Sequence, residues 1–330
     1  MYQRRLLTSS CARLLFGETC RRTLTQSAVS HAKVGFIGLG NMGANMADHL
    51  QKAGHELVVY DSNVDAMKSF VRFGAKAATS AADLAGKVDR VLTMVPTPKH
   101  VLEVYLGKDG VISGGQAKKG TILIDSSTID PGTSQQVSAE ALKAGLEFVD
   151  APVSGAVPAA RAATLTFMVG GKKEIVDAIR ELLLAMGKNV IHTGGVGTGV
   201  TAKLCNNMQL AISMIGTSET LNLGARLGLD PQMLTQILNI SSGRTWVSEG
   251  YNPVPSVGDE KLPANHEYKG GFGTALIAKD LNLAQSIAVQ SQSPTPMGAL
   301  ASQIYRMMLN NGKGDKDFSY VYQFLKNQDK

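Results

Sequence analysis

The chain of 330 residues carries 33 Lys and Arg against 27 Asp and Glu, a net charge of +6, and is 44% hydrophobic and 18% charged. That balance excludes an intrinsically disordered chain, and no apolar run reaches the roughly 18 to 20 residues of a membrane-spanning helix. Nor is the charge spread as a nucleic-acid-binding face requires, because Arg4, Arg5, Arg13, Arg21 and Arg22 oppose only Glu18 in the first 30 residues and the remainder is nearly balanced.

Residues 1–30, rich in Arg and Ser/Thr and poor in acids, have the composition of a mitochondrial transit peptide. Leu7, Cys11, Leu14 and Leu15 fall near helical spacing, which suits an amphipathic address; a plain basic arm is the other reading. Its removal in the matrix would take Cys11 and Cys20 with it and leave Cys205 alone, unable to form an intrachain disulfide or a zinc site. Cys205 lies in an apolar helical stretch, where a small buried hydrophobe is the expected role.

Short apolar runs at 33–38 (KVGFIG) and 56–60 (ELVVY) flank a helical pattern over 41–53 that places Met42, Met46 and Leu50 on one face. Further buried-strand patterns occur at 90–94, 121–124, 147–149, 166–169 and 189–192, most of them separated by helical segments. Such alternation predicts an α/β fold, a Rossmann-type doubly wound and mostly parallel sheet with helices on both faces. Beyond residue 195 the strand signals stop. Residues 201–227 read as one buried helix closed by Gly228, and Asp230-Pro231 cap and open the next. The rest reads as helix apart from a loop at 250–271, so an all-α C-terminal domain is expected. The glycine run 194–199 is read as the hinge between a dinucleotide domain, 31–195, and the helical domain, 196–330.

Gly38-Leu39-Gly40-Asn41-Met42-Gly43 fits G-x-G-x-x-G in the strand-to-helix context that the chemistry requires. Gly38 permits the tight turn, Gly40 lets backbone approach a pyrophosphate, and Gly43 allows the helix to pack on the strand. Asp61, 18 residues past Gly43, ends the second strand, where a carboxylate accepts hydrogen bonds from ribose and repels a 2′-phosphate. Ser62 and Asn63 come next, with no Arg to hold that phosphate, so NAD is the expected cofactor. A carboxylate that merely caps the next helix is the alternative.

Lys203 is read near the start of the long helix, with Asn206 and Asn207 three and four residues on along the same face. Desolvation and the positive helix end would both lower the lysine's pKa toward the range of proton transfer. A lysine in a first helical turn is more often solvated than catalytic, and spacing alone leaves both readings open. Ser154 and the Gly155 N–H, in a loop after a strand, suit a substrate carboxylate, though an ordinary turn fits equally well. Lys279-Asp280 is ambiguous in the same way, since most such pairs are surface charges. The histidines and acids show no metal-ligand spacing.

Taken together, GFIGLGNMG at 35–43, DAPVSG at 150–155, GTGVTAKLCNN at 197–207 and GGFGTALIAKDL at 270–281 resemble the β-hydroxyacid dehydrogenase family from about residue 33 to the C-terminus. The resemblance implies that Lys203 exchanges a proton with the substrate hydroxyl while a hydride passes to NAD. It further implies that Asn207, Ser154 and Gly155 place the substrate, with Asp280 beside them. Val95, Pro96 and Thr128 would border the cofactor, Lys279 would close over cofactor and substrate, and the enzyme would be a homo-oligomer, a dimer, joined through its helical domain. The implied reaction is oxidation of 3-hydroxyisobutyrate to its semialdehyde, a step of valine breakdown in the mitochondrial matrix. Another short β-hydroxyacid of the tartronate type is the alternative substrate, and a non-catalytic scaffold that keeps the fold is a third reading. Two departures bear on the substrate: Ala156 stands where the family's turn usually continues with Gly, and Pro158 stiffens the loop further.

Overall fold

The computed structural model describes residues 32–327, so the transit-peptide expectation for residues 1–30 lies outside the described residues. Among the described residues nine strands form one sheet: β1 (Lys33–Ile37), β2 (Glu56–Tyr60), β3 (Lys76–Ala77), β4 (Arg90–Thr93), β5 (Ile122–Asp125), β6 (Glu147–Asp150), β7 (Val153–Ser154), β8 (Leu165–Gly170) and β9 (Gly187–Gly194). Their order is β3-β2-β1-β4-β5-β6-β8-β7, with β9 alongside β8. The six strands from β3 to β6 are parallel, as is the β8–β9 pair, whereas β8 runs antiparallel to β6 and β7. This is the doubly wound order, and chain direction switches between β1 and β4, where a crevice opens at the strand ends.

Alternation along each strand builds two cores. Val34, Phe36, Leu92 and Ile124 pack on one side with Met46 and Leu50, while Ile37, Val91 and Leu123 pack on the other with Leu84 and Tyr105. A separate core of Ala211, Met214, Ile215, Ile277, Leu281, Tyr305 and Met308 joins the helices of the C-terminal half.

The long helix runs Thr198–Arg226 and is one-sided rather than buried throughout. Val200, Lys203, Leu204, Asn207, Ala211 and Met214 are buried, whereas Leu223 is 59% exposed. Cys205 is likewise exposed, because it falls on the outer side of a helix whose inner stripe is set by positions 200, 204, 207 and 211. The helix starts three residues before the expected 201, which moves Lys203 from the first turn to the second.

The glycine run read as a hinge is pinned. Asp150, at the end of β6, accepts from the Gly197 N–H at 2.7 Å and the Val200 N–H at 2.8 Å, capping the long helix from the sheet. A Cβ on Gly199 would stand 2.3 Å from the Met168 carbonyl, so glycine is required by close approach. Pro158 also departs from expectation. It lies in a six-residue helix, Ala156–Arg161, in the first turn, where a missing N–H costs nothing.

Candidate active site

All of the residues singled out as candidates line one cleft of about 2100 Å³. That exceeds the roughly 300–1,000 Å³ of a single small-ligand pocket and gives room for a dinucleotide with a second small molecule. Gly38, Leu39, Gly40, Asn41, Met42, Gly43, Asp61, Val95, Pro96 and Thr128 border it from the sheet side, and Ser154 and Gly155 from the end of β7 and the start of the helix Ala156–Arg161. Lys203, Asn207, Lys279 and Asp280 border it from the helices.

On the sheet side the geometry suits a pyrophosphate. Gly38 has φ +92°, and a Cβ there would stand 2.3 Å from the Met94 carbonyl; one on Gly40 would meet nothing within 4 Å. The next helix, Gly43–Lys52, has no side-chain cap and no acid in its first turn, which leaves its N-terminus free to attract an anion. Asp61 does not cap a helix. Its Oδ2 accepts from the Leu39 N–H at 2.6 Å and its Oδ1 from the Asn63 N–H at 2.7 Å, and Asn63 itself caps the helix starting at Val64. The acid thus ties the glycine turn to the end of β2 and retains lone pairs for a ribose hydroxyl.

On the helical side Lys203 is 8% exposed, and its ammonium makes no hydrogen bond among the described residues. Burial lowers its pKa from 10.5 to about 8; the Asp280 carboxylate opposes that shift and the Lys279 ammonium adds to it. Asp280, 3% exposed, accepts from Asn207 Nδ2 at 2.6 Å through Oδ2. Its Oδ1 lies 3.2 Å from Lys279 Nζ without the alignment of a hydrogen bond, and is buried with no other partner among the described residues. Lys279 is no surface charge. Its Nζ donates to the Thr128 carbonyl at 2.8 Å and the Pro96 carbonyl at 3.3 Å, reaching from the helices to two loops of the sheet.

The sequence reading missed the aromatic side of the cleft, formed by Trp246, Tyr251 and Phe272. Trp246 stacks on Tyr251 with ring centroids 5.0 Å apart. These residues lie in or beside a Pro- and Gly-rich loop without periodicity, and only their aromatic character could have marked them. Asp150 was noted within its motif, but its capping role depends on a contact 47 residues away in sequence.

Comparison with known proteins decides the family. Residues 33–194 match the NAD binding domain of 6-phosphogluconate dehydrogenase, and residues 197–325 match the domain described as the NAD-binding of NADP-dependent 3-hydroxyisobutyrate dehydrogenase. The mitochondrial 3-hydroxyisobutyrate dehydrogenase of Homo sapiens is 53% identical over 95% of this chain and 91% of its own length. The chain belongs to the β-hydroxyacid dehydrogenase family. The Drosophila melanogaster member of that name is 48% identical over 89% of the chain and 90% of its own length. A Mycobacterium tuberculosis 3-hydroxyisobutyrate dehydrogenase solved with L-serine is 37% identical, with a TM-score of 0.84 over 89% of this chain and 99% of its own. The β-hydroxyacid dehydrogenase fold and its NAD cofactor are therefore those expected from the sequence.

Proposed function

We propose that the protein is an NAD-dependent 3-hydroxyisobutyrate dehydrogenase in which Lys203 is the proton-transfer residue. The observation that carries the reading is Lys203 itself, a buried lysine without a hydrogen-bonded partner, lowered to about 8 and facing a cleft built for a dinucleotide. As neutral amine it accepts the proton of the substrate hydroxyl; as ammonium it returns that proton in the reverse direction. NAD, held by the Gly38–Gly43 turn, Asp61, Val95, Pro96 and Thr128, supplies the hydride acceptor. Ser154 and the Gly155 N–H hold the substrate carboxylate, and Asn207, fixed by Asp280, orients the substrate beside the lysine. Lys279 holds the two cofactor-bordering loops against the helices. Support for the substrate comes from relatives named for this activity, and from the M. tuberculosis neighbour bound to L-serine, itself a β-hydroxyacid. Ala156, where the family's turn usually continues with Gly, has φ +54°, a left-handed conformation that glycine adopts more readily, and it borders the cleft.

The same reading takes residues 1–30 as a transit peptide, the enzyme as a resident of the mitochondrial matrix and its reaction as a step of valine breakdown. Relatives carrying the mitochondrial name and the arginine-rich leader support this. It divides the mature chain at the 194–199 glycine run, into a dinucleotide domain and a helical substrate and dimerisation domain. A homodimer is proposed because Leu223, Leu227, Leu229, Met233, Ile237 and Ile240 leave apolar side chains exposed on consecutive helical segments.

Purified enzyme assayed with 3-hydroxyisobutyrate, a tartronate-type acid and L-serine, each with NAD and NADP, tests the assignment. The expected result is the highest kcat/KM for 3-hydroxyisobutyrate with NAD; no NAD reduction with any of the three acids would sink it. Asp280→Asn gives a finer check. Removing the carboxylate that opposes the lowering of the Lys203 pKa drops that pKa below its present value of about 8. The rise of the oxidation rate with pH then moves to lower pH, which a kcat/KM pH profile reads directly. An unmoved profile would show that Asp280 does not act on the lysine.

A further inference from the structure

Asp317 is fully buried, and it does not line the cleft. It belongs to the chain's last segment, between the helix Pro296–Asn310 and a short 3-10 turn, Phe318–Tyr320, that it caps. Both carboxylate oxygens are occupied. Oδ1 accepts from the Ser319 N–H at 2.9 Å and from Ser319 Oγ at 2.5 Å. Oδ2 accepts from Tyr251 Oη at 2.9 Å and from the Phe272 N–H at 2.7 Å. One oxygen thus holds the terminal turn, and the other holds two residues of the aromatic side of the cleft.

The surroundings leave this carboxylate little freedom. Its own N–H donates to the Tyr268 carbonyl at 2.8 Å, and the Phe318 N–H donates to the Phe272 carbonyl at 2.8 Å, so the loop before Gly273 is stitched to the terminal segment. Gly271 has φ +66°, and a Cβ there would stand 2.2 Å from Asp317 Oδ2 and 2.5 Å from Tyr251 Oη. Only glycine lets the loop pass this close. A buried carboxylate without donors is costly, and here four donors from three chain segments converge on it.

We propose that Asp317 is a positioning residue for the acid subsite: through Tyr251 and Phe272 it sets the aromatic side of the cleft, including Trp246 stacked on Tyr251, against which the hydroxyacid is held. The proposal rests on the dehydrogenase reading of the cleft given above. Asp317 touches no reacting atom. Its effect falls on the binding of the acid rather than on NAD, because the cofactor-bordering elements, the glycine turn, Asp61 and the Val95 and Thr128 loops, lie on the sheet side.

Trp246 is the only tryptophan in the sequence, so its fluorescence reports this side of the cleft without interference. Asp317→Asn replaces an acceptor by an amide that cannot satisfy all four donors, and Tyr251→Phe keeps the ring while removing one donor. Ser319→Ala, which acts only on Oδ1 and not on the oxygen that holds Tyr251 and Phe272, is the control. Asp317→Asn is expected to raise KM for the acid about tenfold, the scale of a lost hydrogen bond to a charged group. KM for NAD stays within about twofold of wild type on the same scale, and the Trp246 emission shifts as the stack loosens. Tyr251→Phe gives a smaller change of the same sign, and Ser319→Ala none. An unchanged acid KM with unchanged Trp246 emission in Asp317→Asn overturns the proposal, as does an equal loss of acid and NAD binding. Should that variant fail to fold, wild-type values in Tyr251→Phe overturn it. If the wild-type enzyme oxidises no β-hydroxyacid, the functional reading fails instead, and the Trp246 emission of Asp317→Asn still decides the positioning role.

Discussion

Lys203→Met is expected to lower kcat by about 10²–10⁴-fold, the usual contribution of a positioned general acid or base, while NAD still binds. Methionine keeps the volume and the apolar stem and removes only the proton-transfer group. Stopped-flow hydride transfer and an NAD titration together check it; turnover at the wild-type rate would remove Lys203 from the mechanism. The same variant should be more stable than the parent at pH 7. Burial depresses the folded-state pKa to about 8, below the ordinary 10.5, so the unfolded chain binds the proton more tightly. The resulting destabilisation is fully present below pH 8 and is relieved as pH rises from about 8 to 10.5. A thermal melt of Lys203→Met at pH 7 is therefore expected to lie above the parent's, with the gap closing by pH 10. A buried lysine that lowers stability in this way is consistent with a residue retained for chemistry.

Asp61→Ala is expected to reverse or erase the preference for NAD. Hydrogen bonds to a charged group contribute about 1.5–3 kcal/mol each, so losing the ribose contact should raise KM for NAD by about tenfold to a hundredfold. Binding of NADP should suffer less, because the charge that repels its 2′-phosphate is gone. The glycine turn itself loosens too, since Asp61 holds the Leu39 N–H at 2.6 Å. The ratio of kcat/KM for the two cofactors is the decisive measurement, and an unchanged ratio would remove Asp61 from cofactor selection.

Much of this was legible in the sequence. The central parallel strands are largely buried, so they appear as unbroken apolar runs, and all seven expected strands lie within two residues of their expected positions. The two-residue strands β3 and β7 escaped because neither carries an apolar run; Lys76 and Ala77 are both exposed. Cys205 was misread because an apolar neighbourhood does not say which side of a helix faces the core. The candidate residues that line the cleft were marked in the sequence, the glycines through backbone demands, whereas the spacing around Lys203 left its role open until the family resemblance singled it out. What joins them was not. The contacts of Lys279 with Thr128 and Pro96, of Asp280 with Asn207, and of Asp317 with Tyr251 span 66 to 183 positions of sequence and arise only when the sheet and the helices pack.

Asp150 carries a consequence for how the molecule comes apart. Its carboxylate belongs to the sheet, yet it closes the first turn of the helix around which the C-terminal half is built. Fraying of β6 would strip that helix of its cap, and unwinding of the helix would strand a buried acid at the end of β6. Opening of either half therefore costs the other a buried partner, and residues on both sides of the glycine run are expected to melt together, which hydrogen exchange on either side of residues 194–199 would check.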